Sequence, residues 1–249
     1  TLTGTGSGTG ALFNASGSNT WSGTIAMSGN SSFGATGSDV FTLSGAVSGG
    51  FNFTKVGTGV VELNTTNSFT GTTLVSAGTL RITNINTSGV TVSSGATIAL
   101  SNIAVAPTLT LSLNGTGAGS AGALSATGTS TWNGAITFAG DTTISSAGAL
   151  TLNGTLNNPV NLTLSGAGSI ILASTVGNSS ALTTITSNVN LDVNGGTVTT
   201  TGTQTYNNPI TLGAGTTFTT TSNGAATFAG ITNATARALT VSTGSGAIT

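Results

Sequence analysis

The sequence predicts an all-β chain wound into an elongated parallel β-helix. Three observations predict it. Short runs alternate apolar and polar residues between Gly and Asn, helix formers and charged residues are nearly missing, and two motifs recur along the chain. The 249 residues include 39 Gly, one Met and one Tyr. Only 3% are charged, three basic against four acidic. An ordinary domain carries about 25% charged residues.

The strands come first. Leu109-Thr110-Leu111-Ser112-Leu113, Leu162-Thr163-Leu164 and Val189-Asn190-Leu191-Asp192-Val193 alternate strictly. Alternation sends apolar members to one face and polar members to the other. The runs are roughly three to seven residues long, as short strands are. Gly and Asn between them supply the positive φ of tight turns. With one Lys, one Glu and one Gln, the residues that favour helix are mostly Ala and Leu, and essentially no helix is expected.

Repeats come next. One family is an aromatic residue, then Gly or Asn two positions on, then an aliphatic residue: Trp21-Ser22-Gly23-Thr24-Ile25, Trp132-Asn133-Gly134-Ala135-Ile136 and Tyr206-Asn207-Asn208-Pro209-Ile210. Phe69-Thr70-Gly71-Thr72-Thr73 and Phe228-Ala229-Gly230-Ile231 are weaker copies. A second family is a short strand followed by Gly-x-Gly. It occurs at Phe51–Phe53 with Gly57 and Gly59, at Leu109–Leu111 with Gly115 and Gly117, at Leu162–Leu164 with Gly166 and Gly168, and at Leu239–Val241 with Gly244 and Gly246. Copies lie roughly fifty to eighty residues apart without a fixed period, which suits an irregular solenoid in which each copy covers several coils. Coils of about twenty to twenty-five residues would number about ten to twelve and form a rod on the order of 50 Å long. The low charge then has a cause. Stacking puts like positions about 4.8 Å apart, where like charges repel and Thr, Ser and Asn hydrogen-bond. Residues 1–249 read as one solenoid segment. Tandem β-sandwich modules use the same short strands and Gly turns, but predict antiparallel hairpins and modules of about 100 residues.

Composition also limits function. Without His or Cys there is no His- or thiolate-based metal site, no Ser-His-Asp triad and no Cys-His pair. No basic surface exists for nucleic acid, and no run of about 18 apolar residues could form a membrane helix. Thr1 is not an initiator Met and no signal segment follows it, so the chain reads as a piece of a longer polypeptide.

Residues 55–80 run from Lys55-Val56-Gly57-Thr58-Gly59 through Asn67-Ser68-Phe69-Thr70-Gly71-Thr72-Thr73 to Ala77-Gly78-Thr79-Leu80. They resemble the autotransporter-associated β-strand repeat, or passenger-associated transport repeat. Gly57, Gly59, Asn67, Gly71, Thr73 and Ala77–Leu80 fall on its pattern, while Phe69, Ser68 and Asn64 stand where Tyr, Thr and Gly are usual. The resemblance implies a right-handed parallel β-helix and an extracellular or bacterial cell-surface location. It covers about a tenth of the chain, and the membrane barrel that would define an autotransporter is not in this sequence.

No residue is assigned a catalytic, cofactor-binding or metal role. Glycosidases need two carboxylates about 5 to 9.5 Å apart, and Asp39, Glu62, Asp141 and Asp192 are isolated in sequence. Asp192 is expected to point to solvent and Asp141 to occupy a turn. Lys55, Arg81 and Arg237 read as solvated surface. Four scattered acids cannot build a calcium array, although a single site of Asn and carbonyl oxygens stays open. Trp21, Trp132, Tyr206 and Phe69 read as fillers of one recurring core or corner position rather than a sugar platform. The Gly-x-Gly steps read as turns, since no helix and no P-loop Lys follow. The run Thr197, Thr199, Thr201, Thr203, Thr205 has the form of an ice-binding surface, but such a face needs even spacing from coil to coil, and the copies elsewhere look irregular. Asn-x-Ser/Thr sequons at Asn14, Asn30, Asn52, Asn64 and Asn114 carry little weight in a chain so rich in Ser and Thr.

The expected role is therefore structural: a non-catalytic segment of an extracellular bacterial fibre, filament or surface layer that self-associates end to end or laterally. An adhesin stalk or autotransporter passenger segment is the alternative, with surface glycans as possible partners. A carbohydrate-active β-helix enzyme is the third reading.

Overall fold

A computed structural model describes residues 1–249 apart from Ala234. Strands of two to eleven residues follow one another from Leu2–Gly4 to Leu239–Ser242, with one three-residue 3-10 turn at Ala118–Ser120. Strand pairs are parallel, which removes the β-sandwich. The chain is a β-solenoid of about twelve turns.

One ladder position traces the whole rod: Gly4, Ser31, Phe53, Thr73, Val90, Leu111, Ile136, Leu156, Val176, Val198, Phe218 and Val241. Its steps are 27, 22, 20, 17, 21, 25, 20, 20, 22, 20 and 23 residues. Twelve layers about 4.8 Å apart make a rod of about 55 Å. Extra residues leave the rod as local excursions, such as 5–11 between Leu2–Gly4 and Leu12–Asn14, and the register shifts at Leu2/Gly4 and at Leu113/Gly115.

We call the strip around this ladder the first face. The second face follows it around each coil and contains the inward column Phe41, Val61, Leu80, Ile98, Leu124, Ile144 and Leu164. The third completes the later coils through Val105, Trp132, Leu152, Leu172, Val193 and Leu212. These columns are buried and form one continuous core. Each buried Leu, Ile or Phe contributes about 1.5–3 kcal/mol relative to an exposed one.

Corners between faces demand glycine where layers touch. Gly57 has φ 74° and Gly78 φ 62°. A Cβ on Gly78 would lie 2.5 Å from the carbonyl oxygens of both Gly57 and Gly59 in the layer before it. The Gly-x-Gly step is therefore a turn, as expected.

Candidate functional site

The coil that carries the transport-repeat pattern is the most specific local structure in the chain. In the strand Phe53–Val56, Phe53 and Lys55 share the inward phase. Lys55 is fully buried between Phe33 in the layer before and Val75 in the layer after. This corrects the expectation of a solvated lysine. Its Nζ donates to the carbonyls of Val56 (2.9 Å), Gly57 (2.7 Å) and Ala77 (2.9 Å). An ammonium has three N–H donors, so this cage satisfies it completely and ties two layers together at one corner. Removal from water lowers its pKa to about 8. The signal was present in the sequence: Lys55 stands two residues after Phe53, the spacing of one strand face.

The other pattern residues complete the coil. Asn67 is buried; its Oδ1 accepts from the Val47 N–H at 2.9 Å, and its Nδ2 donates to the Thr65 carbonyl at 2.8 Å. Gly71 lies so close to the Phe51 carbonyl that no side chain fits there. Phe33, Phe53 and Phe69 stack, with centroids 4.4 and 5.4 Å apart. Outside the core, Glu62 accepts from Thr42 at 3.2 Å and meets Arg81 at 3.7 Å. These three are neighbours in one outward row.

The aromatic motif serves two corners, not the single recurring position expected. Phe69 and Trp132 end third-face strands and lead into Thr73 and Ile136 of the first face. Trp21, Tyr206 and Phe228 end second-face strands and lead into Ile25, Ile210 and Ile231. The local geometry of both turns is alike, so one sequence pattern fits both. Trp132, Tyr206 and Phe69 are buried, but Trp21 is 46% exposed. It shares its ladder with buried Leu43, yet lies in the first coil, where a shallow pocket opens beside Leu2, Leu12 and Ile25. Tyr206 donates to Gln204 Oε1 at 3.0 Å. Gln204 Nε2 in turn reaches the Thr219 carbonyl at 2.9 Å. Burial raises the Tyr206 pKa strongly.

The acids are dispersed over the rod. Glu62 lies on the second face and Asp192 on the third, half-buried and facing outward between Ile171 and Thr211. Asp141 sits inside the long strand Ile136–Ser146, where the chain passes from the first face to the second, rather than in a turn. It is exposed and accepts from the Asn161 backbone N–H (2.9 Å) and Nδ2 (2.8 Å), bonds that lower its pKa. Asp39 precedes a second-face strand and gives its carbonyl to the Val60 N–H. Among the described residues no three acids gather as metal ligands. Arg237 Nη1 donates to the Leu212 carbonyl at 2.8 Å and is only partly exposed, so it too is less solvated than expected. The arrangement supports packing and layer-to-layer bonding.

No curated protein and no solved structure matches the chain. A passenger-associated-transport-repeat family profile matches residues 53–82, the coil built around Lys55, Asn67 and the stacked phenylalanines. The match covers this one coil of the β-solenoid, which is similar to a passenger-associated transport repeat.

Proposed function

We propose that this chain is a non-catalytic structural segment of a secreted or surface-displayed bacterial protein of the autotransporter-passenger kind. One observation carries the reading: a residue pattern similar to a transport repeat, embedded in one continuous parallel ladder of twelve layers. Such a rod resists bending because each layer hydrogen-bonds to both neighbours along its faces, and it holds whatever adjoins it at a set distance. Immunogold labelling of intact source cells tests it. Surface-bound rods support the reading. Label confined to the cytoplasm rejects it, as does glycan turnover that disappears when Asp39, Glu62, Asp141 or Asp192 is replaced.

Joining into a fibre is the second reading. Among the described residues the strands Leu2–Gly4, Leu12–Asn14 and Asn19–Trp21 pair on one side, with Trp21 half exposed there. Parallel edges template further strands, which either more of the same chain or a copy of it would supply. Filaments much longer than about 55 Å from the purified chain would favour it.

A further inference from the structure

The three faces differ in what they show to solvent. On the first face the two positions flanking each ladder residue face outward, save Ser32 and Gly177, which are buried. From the sixth layer onward these pairs are Thr110/Ser112, Ala135/Thr137, Thr155/Asn157, Thr175/Gly177, Thr197/Thr199, Thr217/Thr219 and Thr240/Ser242. Eleven of these fourteen positions are Thr or Ser, and none is charged. In the last three layers all six are, in direct register: Thr197 over Thr217 over Thr240, and Thr199 over Thr219 over Ser242. Layers repeat at about 4.8 Å, and the two rows stand about 6.6 Å apart along the strand. The full array is about 30 Å long.

Among the described residues, only Thr137 of the eleven array hydroxyls makes a hydrogen bond, to the Leu111 carbonyl at 3.3 Å. Thr200, Thr216, Thr220 and Thr243, on or beside the same strands, turn their hydroxyls back onto backbone carbonyls of Gly202, Ala214, Gly224 and Gly246. Among the described residues the six outward hydroxyls of the last three layers make no such bond. Each offers one donor and two acceptor positions beside a methyl group on five of the six.

We propose that this double row of Thr and Ser on the first face is an ice-binding surface. Ice is an uncharged lattice that presents hydrogen-bond donors and acceptors at fixed intervals, and the array is uncharged and periodic in two directions. A protein partner fits poorly, because interfaces rely on aromatic or large apolar anchors, and the exposed large hydrophobic residues are Trp21, Phe51, Leu74, Leu239 and Ile248. None of them belongs to the array. A sugar surface lacks aromatic side chains to stack on for the same reason. The other faces are less suited. The second has one Thr row, Thr143, Thr163, Thr186, Thr205 and Thr227, but beside it Asn207 is bonded to Asn188 at 2.6 Å. The third row is interrupted by Ile171 and Asp192.

The test is ice-crystal shaping and thermal hysteresis with the purified chain. The expected result is faceted crystals and a gap between melting and growth temperatures. That gap is lost in Thr217→Lys and in the more exposed Thr240→Lys, and kept in Thr163→Lys on the second face, all with unchanged circular dichroism. Absence of shaping by the unaltered chain overturns the proposal, and so does an equal loss in Thr163→Lys. Binding to crystalline cellulose without ice activity, or a dimer in sedimentation that Thr217→Lys disperses without ice activity, also overturns it. If Thr217→Lys fails to fold, Thr240→Lys decides.

Discussion

The coils at 53–82 and at 197–242 share one geometry and hold it differently. The first has three of the seven charged residues, Lys55, Glu62 and Arg81. It is pinned by particular contacts: a caged ammonium, a buried Asn and three stacked rings. The second has Arg237 alone and relies on repetition, with Thr above Thr in adjacent layers. In a stacked architecture either strategy satisfies the layer next door. Unique pins make a coil recognisable as a family pattern. Repetition makes a surface.

The largest expected effect lies in the core. Trp132→Ala should cost about 3–5 kcal/mol, as large-to-small aromatic changes do. The half-exposed Trp21→Ala should cost about 1 kcal/mol. Urea midpoints of the two variants check this, and equal losses would mean that the first coil is packed as tightly as the sixth. Next is the pinned coil. Lys55→Met keeps the stem's bulk but orphans carbonyls at a corner, at about 1–3 kcal/mol. Limited proteolysis should then cut near 53–82 before it cuts near 197–242.

Titration sharpens the comparison further. In the unfolded chain Lys55 keeps its proton up to about pH 10.5, whereas in the fold its pKa is about 8. Between these values the unfolded state holds more protons, so stability from this site rises with pH across the window and is flat below it. The stability difference between the native chain and Lys55→Met should therefore grow from pH 8 to pH 10.5, by up to about 3 kcal/mol. Tyr206 titrates in both chains and cancels. A difference that shrinks would show that the three carbonyls outweigh desolvation. The smallest effect belongs to Arg81→Ala. It removes a partly exposed pair worth about 0–1 kcal/mol, and the loss should fade in high salt.

Legibility in the sequence followed locality. Asn67, Gly57, Gly71 and Gly78 were readable because each is constrained by the turn it occupies. Lys55 was misread because its charge was given more weight than its place in the alternation after Phe53. The two-corner use of the aromatic motif was hidden because Trp132 and Tyr206 have the same local pattern and differ only in which face they close. Of the Thr array only Thr197 and Thr199 stood out in the sequence, for a related reason. Layer lengths run from 17 to 27 residues, so Thr110, Thr155, Thr197 and Thr240 fall at no fixed interval.

What the sequence by itself determined is the material: short strands, Gly and Asn corners, uncharged ladders, and one coil specific enough to name. Period-2 alternation and turn chemistry act over a few residues, and a sequence displays them directly. What only the tertiary structure decided is alignment: which Thr stands over which, that Lys55 enters the core, and that Trp21 is half exposed. Those depend on how many residues each coil spends outside the rod, a quantity set by the parallel hydrogen-bond ladder between layers.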